Sequence, residues 1–188
     1  MKHPANRDYY AYWDEQRAGA PAPERSDFEP GQVRHLLGDI FVAAYDIAAR
    51  YPLRVAGTRM SALLGRDLKG HSLVSLFRSA DRAEIEDILG IVAEETQPTV
   101  AGLVTRTATG APFHLEMLLL PFSPRSHTPL SLTGLLAPLS AIEGTHIYGG
   151  LGELGITSWR HLRDERRGPR ELRKWSLTRG LTVYEGLR

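Results

Sequence analysis

The chain has 188 residues, 42% of them hydrophobic and 24% charged, with a net charge of +1, which is globular composition rather than disordered or membrane-embedded. It contains no cysteine, which excludes a disulfide framework, a thiolate metal site, a cysteine nucleophile and a cysteinyl-flavin adduct. No apolar run approaches the ~20 residues of a membrane helix, and the opening MKHPANRDYYAYWDEQR lacks the apolar region and cleavage site of a signal peptide, so a cytoplasmic location with no membrane attachment is expected.

Charge is unevenly distributed. Residues 151–188 carry nine Lys/Arg against five acids, leaving the remainder net acidic. The acids are interleaved with the bases, so a solvated face is preferred over a nucleic-acid surface.

In chain order, Arg7 to Arg17 places Tyr9, Tyr10, Trp13 and Gln16 at helical spacing, and GAPAPERSDFEPG then interrupts all periodicity. This reads as a helical arm and linker over residues 1–30. Residues 39–46 and 51–57 read as two strands joined by a short connection. Thr58 is the expected cap of a brief helix carrying Met60, Leu63 and Leu64, with Gly65 just beyond its end. Asp81 and Glu84 have capping-box spacing, and Ile85, Ile88, Leu89 and Val92 form one apolar helical face. Thr99 to Thr107, Phe113 to Phe122 and Leu130 to Leu139 read as three antiparallel strands, split at Thr109-Gly110 and by SPRSHTP. The order is α+β: a five-stranded antiparallel sheet with helices on one face, over residues 31–141. Residues 142–188 are expected to be an extension: a glycine-rich exit from Gly144 to Gly155, a charged helical stretch from Trp159 to Trp175, and strand-like alternation from Leu181 to Leu187.

Few motifs suggest chemistry. GLGELG, with Gly150, Gly152 and Gly155, matches a dinucleotide fingerprint formally but follows an antiparallel strand, so a flexible exit is the expected reading. His114-Leu115-Glu116 has the H-x-E pattern of zinc deaminases without their cysteines, and a cross-strand polar pair is preferred. The remaining histidines, His3, His35, His71, His127, His146 and His161, show no metal spacing, and no metal or catalytic residue is assigned. Nucleophile elbows, Walker sequences and kinase signatures are absent. An enzyme would require His114, Glu116 and His71 to converge in one pocket.

The run Tyr51-Pro-Leu-Arg-Val-Ala-Gly-Thr-Arg-Met-Ser-Ala-Leu-Leu-Gly-Arg-Asp-Leu-Lys-Gly-His-Ser-Leu, followed by Leu76-Phe77 and the helix from Asp81, resembles a PAS domain. With the N-terminal Tyr/Trp helix and Arg25-Ser26-Asp27-Phe28-Glu29-Pro30, it resembles the bacterial stand-alone PAS_5 family over about residues 8–141. The resemblance implies a non-catalytic sensory or regulatory module that binds a small ligand or a protein partner between sheet and long helix and signals to a separate protein. The alternative is a protein–protein adaptor with a packed, ligand-free core.

Val55, Leu64, Leu76, Ile88, Val92, Leu103, Leu118 and Leu135 would line the pocket, although each also suits an ordinary core. The ligand would be small and apolar or amphipathic. Its identity is open, because the family's flavin photochemistry needs the missing cysteine and residues 81–95 hold no histidine for haem. Tyr9, Tyr10 and Trp13 are expected at a homodimer contact, slightly ahead of docking on their own domain.

Overall fold

The computed structural model describes residues 1–29, 31–124, 130–139 and 150–162, together with the backbone of 172–177 and 181–186. Helix α1 (Pro4–Gln16) leads through a coiled segment to β1 (Ile40–Ala44) and β2 (Leu53–Ala56). Helix α2 (Thr58–Leu63), two single 3-10 turns and α3 (Arg82–Glu94) follow. The strands β3 (Thr99–Arg106), β4 (Pro112–Pro121), β5 (Ser131–Pro138) and β6 (Gly155–His161) complete one antiparallel sheet in the order β2-β1-β5-β4-β3-β6. β7 (Leu172–Leu177) and β8 (Leu181–Gly186) form a separate antiparallel pair.

The sheet therefore has six strands, one more than expected, because part of the glycine-rich extension pairs with β3. Trp159 to His161 lie in β6 and Leu172 to Trp175 in β7, so neither end of the expected 159–175 helix is helical. The middle of that stretch lies outside the described residues, as do His127, His146 and the 144–149 part of the glycine-rich segment. β8 agrees with the alternation read at Leu181.

Strand alternation divides the apolar residues between two faces. On the inner face, Phe41, Leu103, Leu115, Met117, Leu119 and Leu136 meet Ile85, Ile88, Leu89 and Val92 of α3. On the outer face, Val100, Leu118, Leu120, Leu135 and Ala137 meet Tyr9, Tyr12 and Trp13 of α1. Helices α2 and α3 lie on the inner face as expected, and α1, read as a separate arm, covers the outer one; the polar residues between the aromatics of α1 gave no sign of which sheet face the stripe would meet.

Two caps differ from expectation. Gly57 occupies the N-cap of α2 and Thr58 is its first residue. Asp81 makes no cap bond; its carboxylate accepts from Arg78 and from the Ile156 N–H of β6. Gly57 is required for close approach: a Cβ there would lie 2.2 Å from the Gly38 carbonyl oxygen. Gly65, Gly70 and Gly110 have positive φ, as their turns demand.

Candidate functional site

The space between the inner sheet face and helices α2 and α3 is filled by the chain itself. Phe41, Leu53, Leu68, Leu73, Phe77 and Ile85 are wholly inaccessible to solvent. Gly134 lets the Phe41 ring lie against β5, since a Cβ at Gly134 would approach that ring to 2.3 Å. Tyr51 closes the layer over Gly90, and burial pushes its phenol up to about 12.

Residues 150–155 seal one end of this core instead of leaving it as a flexible exit. Leu151 N–H donates to Leu63, Leu154 N–H to Leu76 and Gly152 N–H to Arg106, at 2.9–3.0 Å, and Arg78 N–H returns a bond to Leu154. Leu151 and Leu154 thereby enter the inner core. Gly150, with φ +81°, passes so close to Leu64 and Gly65 that a Cβ would meet backbone at 2.6 Å. Gly155 lies under the Arg78 guanidinium, which Asp81 holds. Gly150 and Gly155 of GLGELG thus permit close chain packing, whereas a Cβ at Gly152 would meet the Arg106 carbonyl at an ordinary 3.5 Å.

Of the expected pocket residues, Leu64, Leu76, Ile88, Val92 and Leu103 gather in the inner core. Leu118 and Leu135 lie on the outer face against α1. Val55 is 44% exposed: a register shift after Val42 turns Leu53 inward and pairs Val55 with Val42.

The aromatic arm docks on its own sheet. Tyr9 and Trp13 are each 1% exposed, buried against strands of their own chain. Trp13 Nε1 donates to the Pro121 carbonyl at 2.9 Å. Thr133 Oγ1 donates to the Phe41 carbonyl, so the Tyr9 hydroxyl is the donor in its 2.6 Å bond to Thr133. Burial raises the Tyr9 phenol far above its usual range. Tyr10, partly buried, stacks on Trp13. Tyr12, which the sequence reading passed over, shares the buried stripe at helical spacing from Tyr9. Phe28 of the linker packs edge-on against Tyr9, Tyr12 and Phe122.

Glu116 anchors the start of α1. Its carboxylate accepts from the backbone N–H groups of Lys2 and His3, at 2.7 and 3.0 Å, and from Asn6 Nδ2 at 2.9 Å. Burial alone would raise this carboxyl, but the three donations prevail and hold it below the usual carboxylate range. Glu116 and His114 also border a cleft of about 680 Å³ on the β3, β4 and β6 side of the sheet. His71 is not among the residues lining that cleft, so the convergence an enzyme would need does not form there. A shallower depression of about 440 Å³ lies beside α2. Among the described residues no helix is long and apolar enough to cross a membrane, and no group of three metal-binding side chains converges.

The PAS_5 family model, described as a PAS domain, matches residues 1–137. No curated protein matches the chain. Among solved structures, the Rhodobacter sphaeroides LOV protein is 14% identical, with 61% of this chain and 70% of that chain covered and a TM-score of 0.44. A light-oxygen-voltage domain studied with a flavin analogue is 13% identical, with 63% and 86% covered and a TM-score of 0.46. A variant of RsLOV is 19% identical, with 62% and 72% covered and a TM-score of 0.43.

Proposed function

The chain belongs to the PAS_5 family of PAS domains, and from that premise we propose that it is a non-catalytic regulatory module whose signal passes through contacts with a separate protein. PAS domains are generally sensory or regulatory. The observation that carries the reading is the inner core, where side chains from the sheet, α2, α3 and the 150–155 segment occupy the layer between sheet and helices. A filled layer favours the adaptor form of PAS function over an enclosed prosthetic group. The absence of cysteine separately excludes a cysteinyl-flavin adduct.

The route for the signal is α1. The hydrogen bonds from Tyr9 to Thr133 and from Thr133 to Phe41 join the outer helix to the strand that carries a central inner-face ring. Arg7, Asp8, Ala11 and Glu15 are exposed on α1, so a partner reading this helix meets a charged surface. Pressure on α1 from such a partner moves β1 and β5 together, because both ends of this hydrogen-bond chain are buried.

Native mass spectrometry of freshly purified protein, compared with its denatured mass, tests this. The expected spectrum contains the polypeptide or its multiples with no retained adduct. A stoichiometric flavin, haem or other enclosed small molecule would replace the adaptor reading by the ligand-sensor reading.

A further inference from the structure

We propose that the cleft beside β6 is a binding site for a small amphipathic carboxylate, separate from the PAS inner core. It is built by an irregularity in the β3–β6 pairing. Gly102 faces Ser158 and Leu103 faces Ile156, leaving Thr157 as the extra residue of a bulge. The Thr157 and Ser158 hydroxyl oxygens consequently both lie 3.0 Å from where a Gly102 Cβ would be. Two hydroxyls and a missing side chain make a polar notch in a cleft of about 680 Å³, within the ~300–1,000 Å³ range of small-molecule sites.

Charge and polarity select the ligand. The acid of the cleft, Glu116, has its carboxylate engaged by Lys2 N–H, His3 N–H and Asn6 Nδ2 beside the N-terminal end of α1. Arg160 and the side chain of Lys2 border the same cleft with no ion pair to the described residues, and the Thr157 and Ser158 hydroxyls make no hydrogen bond to those residues. Donors are therefore in surplus, which favours an anion. A carboxylate presents two oxygens to two hydroxyls and a guanidinium. The remaining negative charge of Glu116 tolerates a monoanion better than a phosphate dianion. Val100 and the half-exposed Leu139 supply apolar wall for a short hydrocarbon tail.

Isothermal titration calorimetry of the full chain with sodium octanoate, and with octan-1-ol as its uncharged counterpart, tests the site. The expected result is saturable one-to-one octanoate binding, with octanol much weaker. Arg160→Gln should weaken octanoate binding roughly tenfold, as loss of one charge-assisted hydrogen bond does. Gly102→Val should abolish it by filling the notch. Circular dichroism establishes that each variant is folded, and Arg160→Gln decides the matter if Gly102→Val is not. Absence of saturable octanoate heat in the wild type, equal affinity for octanol, or unchanged octanoate affinity in a folded variant would overturn the proposal. None of these results bears on whether the inner core is filled, which the native mass reads independently.

Discussion

Replacing Trp13 by alanine tests whether the N-terminal helix belongs to its own domain. The indole is 1% exposed, donates to the Pro121 carbonyl, stacks with Tyr10 and carries the Arg17 guanidinium 5.4 Å from its ring centre. A buried tryptophan removes roughly 200 Å² from water, an upper bound of about 5 kcal/mol at ~25 cal/mol/Å². Alanine recovers a small part of this, while the orphaned Pro121 carbonyl adds about 1 kcal/mol. With the burial contribution taken at about three-quarters of that bound, because the unfolded chain is already partly compact, the expected loss is about 4 kcal/mol, inside the range for large-to-small aromatic substitutions. With a urea slope of about 2 kcal/mol/M, the unfolding midpoint falls by roughly 2 M. Trp13→Phe keeps most of the packing and loses the donor, so it should cost only about 1–2 kcal/mol. A Trp13→Ala change below about 1 kcal/mol, accompanied by a smaller assembly mass in solution, would refute cis docking and return Trp13 to an intermolecular contact.

Glu116→Gln puts an amide where three N–H groups donate to a carboxylate and should destabilise the docked helix by about 2 kcal/mol at neutral pH. Because the folded carboxyl lies below its usual range, its contribution is complete above the unfolded value of about 4.3. That contribution is lost as pH falls through the lower folded value. Urea midpoints of wild type and variant should therefore converge only in acid, and a difference independent of pH would contradict this anchoring. Gly57→Ala forces a Cβ to 2.2 Å from the Gly38 carbonyl oxygen. It should cost about 3 kcal/mol and lower Tm by roughly 10 °C, and a thermal scan matching wild type would contradict that close approach.

The elements that were legible in the sequence are those with local signals. Helix α3 shows its core face through Ile85, Ile88, Leu89 and Val92, and β3 to β5 are bounded by turn residues. Side-chain parity along β4 also separates the two faces. Leu118 shares the strand phase of His114 and Glu116, which assigns it to the outer face, whereas Leu115 and Leu119 point inward. Assignments resting on long-range pairing were out of reach. That Leu151 and Leu154 enter the core depends on backbone bonds to Leu63 and Leu76, roughly eighty residues away in sequence. The exposure of Val55 depends on the bulge at Arg54 beside it in β2, and the docking of Tyr9 on a threonine hydroxyl of β5. The cleft beside β6 was hidden for the same reason, since Gly102, Thr157 and Ser158 come together only when the extension joins the sheet.

Residues 150–162 close the interior of the domain through backbone hydrogen bonds to α2, the turn before α3 and the start of β3. Hydrogen–deuterium exchange on the native protein measures this directly, because the amides of Leu151, Leu154 and Leu162 donate to Leu63, Leu76 and Pro98. Peptides covering these amides should exchange as slowly as those from α3 and β3, through openings of ~5 kcal/mol or more. Exchange of residues 150–162 at the rate of an unstructured tail, with α3 and β3 still protected, would contradict it and leave the sheet–helix layer open for a ligand.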